Sequence, residues 1–90
     1  NISQTLEDLK DRGCWVVGAD MDGECVYNSN VKGSIVLVVG AEGKGLGRLV
    51  KQKCDLIVSL PMQGGVNSLN ASNAAAVLMY EIVRQRMMVK

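Results

Sequence analysis

Two irregular, glycine-bearing segments contain the residues whose types suit ligand binding. The first, VVGAEGKGLG (residues 38–47), places four glycines and the carboxylate of Glu42 directly after an apolar run. The second, SLPMQGGVNSLN (residues 59–70), carries two adjacent glycines and ends with the polar residues Ser68 and Asn70. Glycines let the main chain approach a ligand because no Cβ intervenes. Together with apolar side chains at Leu60, Met62 and Leu69, the segments predict a pocket that holds a flat, neutral heterocycle such as adenine through main-chain hydrogen bonds.

Neither segment matches a standard phosphate-binding motif. A dinucleotide fingerprint counted from Gly43 would need a glycine where Arg48 stands, and a P-loop would need Ser or Thr where Gly45 stands. From spacing alone, a glycine-rich tight turn remains an equal alternative for residues 38–47. The second segment is about twice as long as a usual strand-to-helix connection, which favours a binding role for it.

The sequence gives little support for a metal site or for a catalytic nucleophile. In DMDGE (residues 20–24), counting Asp20 as the first position puts Val31 where a calcium loop needs its glutamate, so we predict no calcium site. The chain has no histidine and its three cysteines are scattered, which argues against a transition-metal site. Without histidine there is also no Ser-His or Cys-His pair for nucleophilic catalysis.

The elements that must position these segments alternate between helical and apolar strand patterns. Apolar runs predict strands at residues 15–19, 35–39 and 55–60, and helices are predicted at residues 3–12 and 46–52 and from Asn70 or Ser72 to Arg86. In the second helix we expect Leu46, Leu49 and Val50 to point inward. Residues 20–34 are polar and predict turns. This alternation predicts an α/β fold with a parallel sheet flanked by helices.

Length and composition limit the architecture to one small domain. The 90 residues are 48% hydrophobic and 21% charged with a net charge of +1, which is typical of a globular protein and gives no argument about nucleic acid. No apolar stretch approaches the roughly 18 residues of a membrane helix. The odd cysteine count favours free thiols and a cytoplasmic location. Because the chain begins at Asn1, we expect it to be part of a longer polypeptide.

The last predicted helix is apolar around most of its circumference. Ala74, Ala75 and Ala76 allow close approach of another backbone, and further apolar residues follow as far as Val83. Such a helix either runs through the centre of its own domain or packs against a partner. Both alternatives stay open from the sequence.

LVVGAEGKGLGRL and SLPMQGGVNSLNASNAAAVLMYEIVRQR resemble the second and third motifs of the SpoU (TrmH) class of RNA ribose 2′-O-methyltransferases, in the SPOUT superfamily. Bacterial large-subunit ribosomal RNA guanosine methyltransferases are the nearest likeness. The resemblance covers about residues 15–86 and implies a C-terminal deep trefoil knot, an exception to the rule against knotted chains. Residues 1–90 would then form the C-terminal part of one SPOUT domain.

What the resemblance implies about the site is specific. It implies that S-adenosylmethionine is the cofactor and that RNA, with ribosomal RNA expected, is the substrate. The protein is expected to be a homodimer, and we expect neither a metal nor a membrane as a partner. The implied cofactor-binding residues are Gly40, Gly43, Leu60, Met62 and Leu69. The implied catalytic residues, which would orient the nucleotide and the sulfonium, are Glu42, Ser68 and Asn70.

The first motif of the family, an asparagine followed by an arginine, has no counterpart here. Arg12 lies in a charged predicted helix without that context. We therefore expect the segment alone to be inactive. The missing motif also keeps an alternative open, a non-catalytic knotted module for dimerisation or RNA binding; a generic nucleotide-binding fragment is a third. Two interpretations are open for a set of basic residues: they contact RNA phosphates, or they form a solvated helix face. The set consists of Lys44, Arg48, Lys51 and Lys53.

Overall fold

A computed structural model of the chain describes residues 1–40, 45–61 and 71–88, with the side chains of residues 71 and 72 left aside. The helices are α1 (Ile2–Asp11), α2 (Arg48–Lys53) and α3 (Ala71–Met87), and Val26–Asn28 form a short 3-10 helix. The strands are β1 (Trp15–Cys25), β2 (Ile35–Val39) and β3 (Leu56–Ser59). They form a parallel sheet in the order β2-β1-β3. The predicted α/β class with a parallel sheet is confirmed.

The sheet is built around β1, which pairs with a neighbour on each side. Val17 lies opposite Leu37 of β2 and Leu56 of β3. β2, β3 and the first five residues of β1 are mostly apolar, and their successive side chains point to opposite faces. The apolar side chains on both faces of the sheet must therefore be covered from water, and the helices cover them.

One face of the sheet packs against α3. Val17 and Val58 are fully buried there in a cluster with Leu78 and Ile82 of the helix. The other face is covered by α1 and α2: Val16 and Leu6 are buried outside that cluster, and the main chain of Gly18 lies close to side chains of the α2 region. The molecule thus has helix, sheet and helix layers.

The ends of α1 follow the expected signals. The Asn1 side chain accepts a hydrogen bond from the Gln4 N–H at 3.3 Å, which satisfies a free donor of the first turn. After the helix, Gly13 has φ +93°, a conformation that side chains with a Cβ rarely adopt. The predicted stop at Gly13 is confirmed.

Buried polar groups fix α3 to the chain that leads into β2. The Gln85 amide donates to the Ser29 carbonyl at 2.9 Å and accepts from the Val31 N–H at 3.1 Å. It also donates to the buried Glu81 carboxylate at 2.8 Å. Since these contacts hold the C-terminal half of α3 beside the start of β2, the helix begins toward the carboxyl edge of the sheet.

Two sequence predictions about these elements are wrong. Residues 20–34 were predicted to be turns, but β1 continues to Cys25 because Glu24 and Cys25 pair with β3 after an irregularity. Leu49 was predicted to point inward and is 64% exposed. Leu46 precedes α2, which begins only at Arg48. Leu46 and Leu49 therefore do not share one face of a helix, as the prediction assumed.

Candidate functional site

Gly40 and Leu60 directly follow the carboxyl ends of β2 and β3. Because the strands are parallel, both residues lie at the same edge of the sheet, on either side of β1. Ligands of open α/β sheets bind at this edge. The other predicted site residues lie outside the described part of the chain: Glu42, Gly43, Met62, Ser68, Leu69 and Asn70.

Gly40 is in close contact with the far end of the glycine-bearing segment. A Cβ built on Gly40 would lie 2.1 Å from the carbonyl oxygen of Gly45, so no larger residue fits without moving the main chain. Gly45 itself has φ +68°, which favours glycine. Main-chain groups are thereby brought to the edge of the sheet without side chains between them. This arrangement fits the predicted contact with a cofactor through backbone atoms.

Leu60 contributes differently. Its side chain packs against the core cluster of α3 and the sheet. The packing of this side chain leaves the main-chain N–H and C=O of Leu60 as its polar groups at the edge, and its contact with a cofactor stays a prediction.

Asp20, which the sequence suggested only as a calcium ligand and then excluded, lies beside the glycine-bearing segment. Its carboxylate accepts hydrogen bonds from the N–H groups of Asp22 at 3.1 Å and Leu46 at 3.3 Å. Lys51 Nζ lies 3.5 Å away. These N–H donors and the lysine lower the pKa of Asp20 below its ordinary value, with the Asp22 donor contributing most and partial burial opposing the change. Its contact with Leu46 joins residues that are distant in sequence, so no local pattern in the sequence marks Asp20.

The basic residues near α2 are mostly engaged in ion pairs. Lys51 bridges Asp20 and Asp22, and Lys53 Nζ lies 3.2 Å from Glu7. Arg48 is exposed, and Lys44 lies outside the described residues. Because Lys51 and Lys53 already pair with carboxylates of this chain, the structure gives no support to their contact with RNA phosphates.

A surface groove of about 350 Å³ lies elsewhere, beside the C-terminal half of α3. Its walls include Tyr27, Lys32 and Arg84. Because residues 26–34 lead into the amino end of β2, this groove is at the edge of the sheet opposite to Gly40 and Leu60.

Within residues 1–40, 45–61 and 71–88 the structure shows no metal-binding cluster, no disulfide and no membrane-spanning helix. No group of three or more acidic or cysteine side chains is placed to share a metal ion there. The three cysteines are free, and burial raises the pKa of the Cys54 thiol, with the nearby Asp55 adding to the effect. None of the helices in these ranges has the length and hydropathy needed to cross a bilayer.

Comparison with known proteins places this architecture in a family. The model of the SpoU rRNA methylase family matches residues 1–80. The chain is 54% identical over 87 residues to YacO of Bacillus subtilis, a protein named for the TrmH family of tRNA/rRNA methyltransferases, covering 96% of the chain and 35% of YacO. It is 49% identical over 90 residues to the 23S rRNA (guanosine-2′-O-)-methyltransferase RlmB of Ralstonia nicotianae, covering 99% of the chain and 36% of RlmB.

A solved structure agrees with these sequences. The SpoU methyltransferase AviRb from Streptomyces viridochromogenes, solved in complex with the cofactor AdoMet, superimposes with a TM-score of 0.83 at 36% identity. The match covers 98% of this chain and 36% of AviRb. The chain thus spans about a third of the length of the curated relatives it matches. From its sequence, its parallel sheet and its glycine-lined edge, the chain belongs to the SpoU rRNA methylase family.

Proposed function

We propose that the protein containing this chain transfers a methyl group from S-adenosylmethionine to a ribose 2′-hydroxyl of RNA, with ribosomal RNA as the substrate, in the cytoplasm. The chain would be the C-terminal part of one SPOUT domain whose last helix closes a deep trefoil knot. Membership of the SpoU family and the RNA 2′-O-methyltransferase name of RlmB support this proposal.

The observation that carries the cofactor assignment is the placement of Gly40 and Leu60 at one edge of the sheet. Gly40 presents main chain where a Cβ would collide with Gly45, and Leu60 uses its side chain in the core. Both residues therefore offer peptide groups and no charged side chain, which suits the edge of an adenine ring. The AdoMet complex of AviRb, a structural neighbour, points to the same ligand.

The chemical roles of the other residues follow from what the reaction requires. When bound, S-adenosylmethionine supplies an electrophilic methyl group. Positioning of the acceptor and removal of one proton are then the main tasks of the protein. We assign orientation of the nucleotide and the sulfonium to Glu42, Ser68 and Asn70, and contacts in the pocket to Gly43, Met62 and Leu69.

Activation of the ribose hydroxyl is assigned to a residue outside this chain. Arg12 caps the end of α1 and is exposed, in a helix on one outer layer of the molecule. Arg12 also lies just before the amino end of β1, opposite to the edge that holds Gly40 and Leu60. The complete catalytic set therefore requires the rest of the protein.

The proposal is tested by calorimetric titration of the full-length protein with S-adenosylmethionine and by methyl transfer to ribosomal RNA. We expect saturable binding, and a loss of transfer of at least about 100-fold in Asn70→Ala, the scale of removing one positioned polar group. Asn67→Ala, three residues earlier in the sequence, is the matched control and should retain transfer. Unchanged transfer in Asn70→Ala would contradict its catalytic role.

The same titration distinguishes the second candidate, a non-catalytic module for dimerisation or RNA binding. Such a module would bind RNA without any heat on addition of S-adenosylmethionine. That outcome would replace the enzymatic proposal.

We also propose that the protein is a homodimer in which α3 forms part of the interface. Met79, Tyr80 and Val83 are 52%, 76% and 45% exposed, although the opposite side of the helix is buried in the core. A helix with apolar residues on both sides is expected to pack on both sides. A second copy of the chain, related by a two-fold axis, would cover the outer side.

A further inference from the structure

An irregular segment of β1 brings an acidic side chain next to the glycine-bearing edge. Ala19 and Glu24 both lie opposite Val58 of β3, so the residues between them leave the regular pairing. Asp20 is the first of these residues, and its side chain is only 12% exposed. A carboxylate buried to this extent needs donors, because its charge is otherwise poorly solvated.

Asp22 of β1 supplies one donor to Asp20, and a second comes from the segment that follows β2. Asp20 Oδ2 accepts from the Leu46 N–H at 3.3 Å. The same oxygen would lie 3.0 Å from a Cβ on Gly45, so the carboxylate rests directly against that glycine. Asp20 therefore touches both residues of the Gly45–Leu46 peptide bond.

This peptide is in turn the surface against which Gly40 packs. The Gly45 carbonyl carbon and oxygen and the Leu46 nitrogen are the atoms closest to Gly40 on its Cβ side. A shift of the Gly45–Leu46 peptide would leave Gly40 without its packing surface. Asp20, the Gly45–Leu46 peptide and Gly40 thus form a continuous series of contacts from the centre of the sheet to its edge.

We propose that Asp20 is a positioning residue for the cofactor site: its carboxylate holds the Gly45–Leu46 peptide, which fixes the main chain of Gly40 in the conformation that binds S-adenosylmethionine. The inference rests on the proposed function and adds a residue to it. Asp20 would act through this peptide, without touching the cofactor itself. Its lowered pKa agrees with a carboxylate that stays ionised at neutral pH and accepts these hydrogen bonds.

The test compares three variants of the full-length protein. Asp20→Ala removes the acceptor and should weaken S-adenosylmethionine binding by about tenfold or more, the usual effect of losing a hydrogen bond to a charged group. Asp20→Asn keeps a carbonyl acceptor for Leu46 and should recover most of the affinity. Asp22→Ala is the matched control, because Asp22 shares the ion pair with Lys51 while its exposed side chain is not among the groups near a Cβ on Gly45 or Gly47.

Two readouts separate positioning from general stability. The Michaelis constant for S-adenosylmethionine should rise in Asp20→Ala while that for RNA stays within about twofold. Hydrogen exchange at the Leu46 amide should accelerate in Asp20→Ala and remain unchanged in Asp22→Ala, since only the former loses the acceptor. Unaltered exchange at Leu46, or equal losses of affinity in Asp20→Ala and Asp22→Ala, would overturn the proposal.

Failure of the proposed function is recognised separately. If the parent protein shows no binding of S-adenosylmethionine, the cofactor assignment is wrong, and with it the role of Asp20 toward the cofactor. The exchange measurement then still decides whether Asp20 holds the Gly45–Leu46 peptide.

Discussion

Glu81 illustrates how a single buried charge is held in this protein. Its side chain is only 4% exposed, yet both oxygens are engaged: Arg84 donates at 2.8 and 2.9 Å and Gln85 at 2.8 Å. The Arg84 hydrogen bonds lower the pKa of Glu81, and the Gln85 amide adds to this, while burial opposes it. The carboxylate is therefore stabilised in its ionised form in the folded protein.

We predict that this stabilisation depends on pH. A carboxylate with a lowered folded pKa contributes fully above its ordinary pKa of 4.5, and the contribution is lost as the pH falls through the lower folded value. Glu81→Gln should therefore reduce the free energy of unfolding at pH 7 by about 1 kcal/mol, a modest value because Arg84 is half exposed. The difference should shrink below pH 4.5 in urea denaturation followed by circular dichroism.

Glu7→Gln is the control for this measurement. Glu7 is 42% exposed and pairs with Lys53 on the surface. Its replacement should change the free energy of unfolding by less than about 0.5 kcal/mol at any pH. A Glu81→Gln difference that stays constant down to pH 3 would contradict the assigned role of the carboxylate.

At the scale of elements, Gly23 determines how closely β1 can approach β3 after its irregularity. A Cβ on Gly23 would lie 2.6 Å from main-chain atoms of Ile57 and Val58. Backbone atoms of a central pairing cannot rotate away as a side chain can. The Ser59 hydroxyl also donates to the Gly23 carbonyl at 2.8 Å, which fixes the same contact.

Gly23→Ala should therefore destabilise the protein by about 2–3 kcal/mol, the range of an overpacked core. Gly47→Ala is the matched control, because a Cβ there has nothing within 4 Å. As Gly47 precedes α2, its replacement should cost less than about 1 kcal/mol. Thermal unfolding of the two variants measures the difference, and equal midpoints would show that β1 does not approach β3 as described.

The elements that the sequence predicted well are those with one dominant signal. The apolar run of β2 was predicted with its observed bounds, and Gly13 marked the end of α1 through its positive φ. The extension of β1 to Cys25 was missed because polar residues and a glycine are typical turn signals. Pairing of Glu24 with Val58 overrides those signals, and such tertiary pairing cannot be inferred from local residue types.

The placement of Gly40 and Leu60 at one edge of the sheet could be predicted from the sequence, but the contacts that support them could not. Glycines after the β2 run indicated a ligand-binding edge, and parallel strand order brings Gly40 and Leu60 to it. The role of Asp20 depends on a contact with Leu46 that is distant in sequence, so no local pattern identifies it. Residue roles at Glu42, Ser68 and Asn70 remain predictions from the family resemblance.

For the whole molecule, the proposed homodimer makes a direct prediction about α3. The double variant Met79→Glu, Val83→Glu places two charges on the exposed apolar side, where desolvation on pairing would be costly. We expect sedimentation to show a monomer for this variant and a dimer for the parent protein. Ile2→Glu, at an exposed apolar position on α1, is the control and should leave the dimer intact. A dimeric double variant would place the interface elsewhere.

The order of the strands has a consequence for how the chain is synthesised. Within this chain β1 is made before β2, and β3, which completes the other side of β1, begins only about 40 residues after β1 begins. Until β3 leaves the ribosome, one margin of β1 keeps unpaired N–H and C=O groups, such as the Val16 amide that later donates to Asp55 at 2.8 Å. The speed of translation between residues 40 and 60 therefore sets how long this unpaired side of β1 in the nascent chain can pair with other chains or bind chaperones.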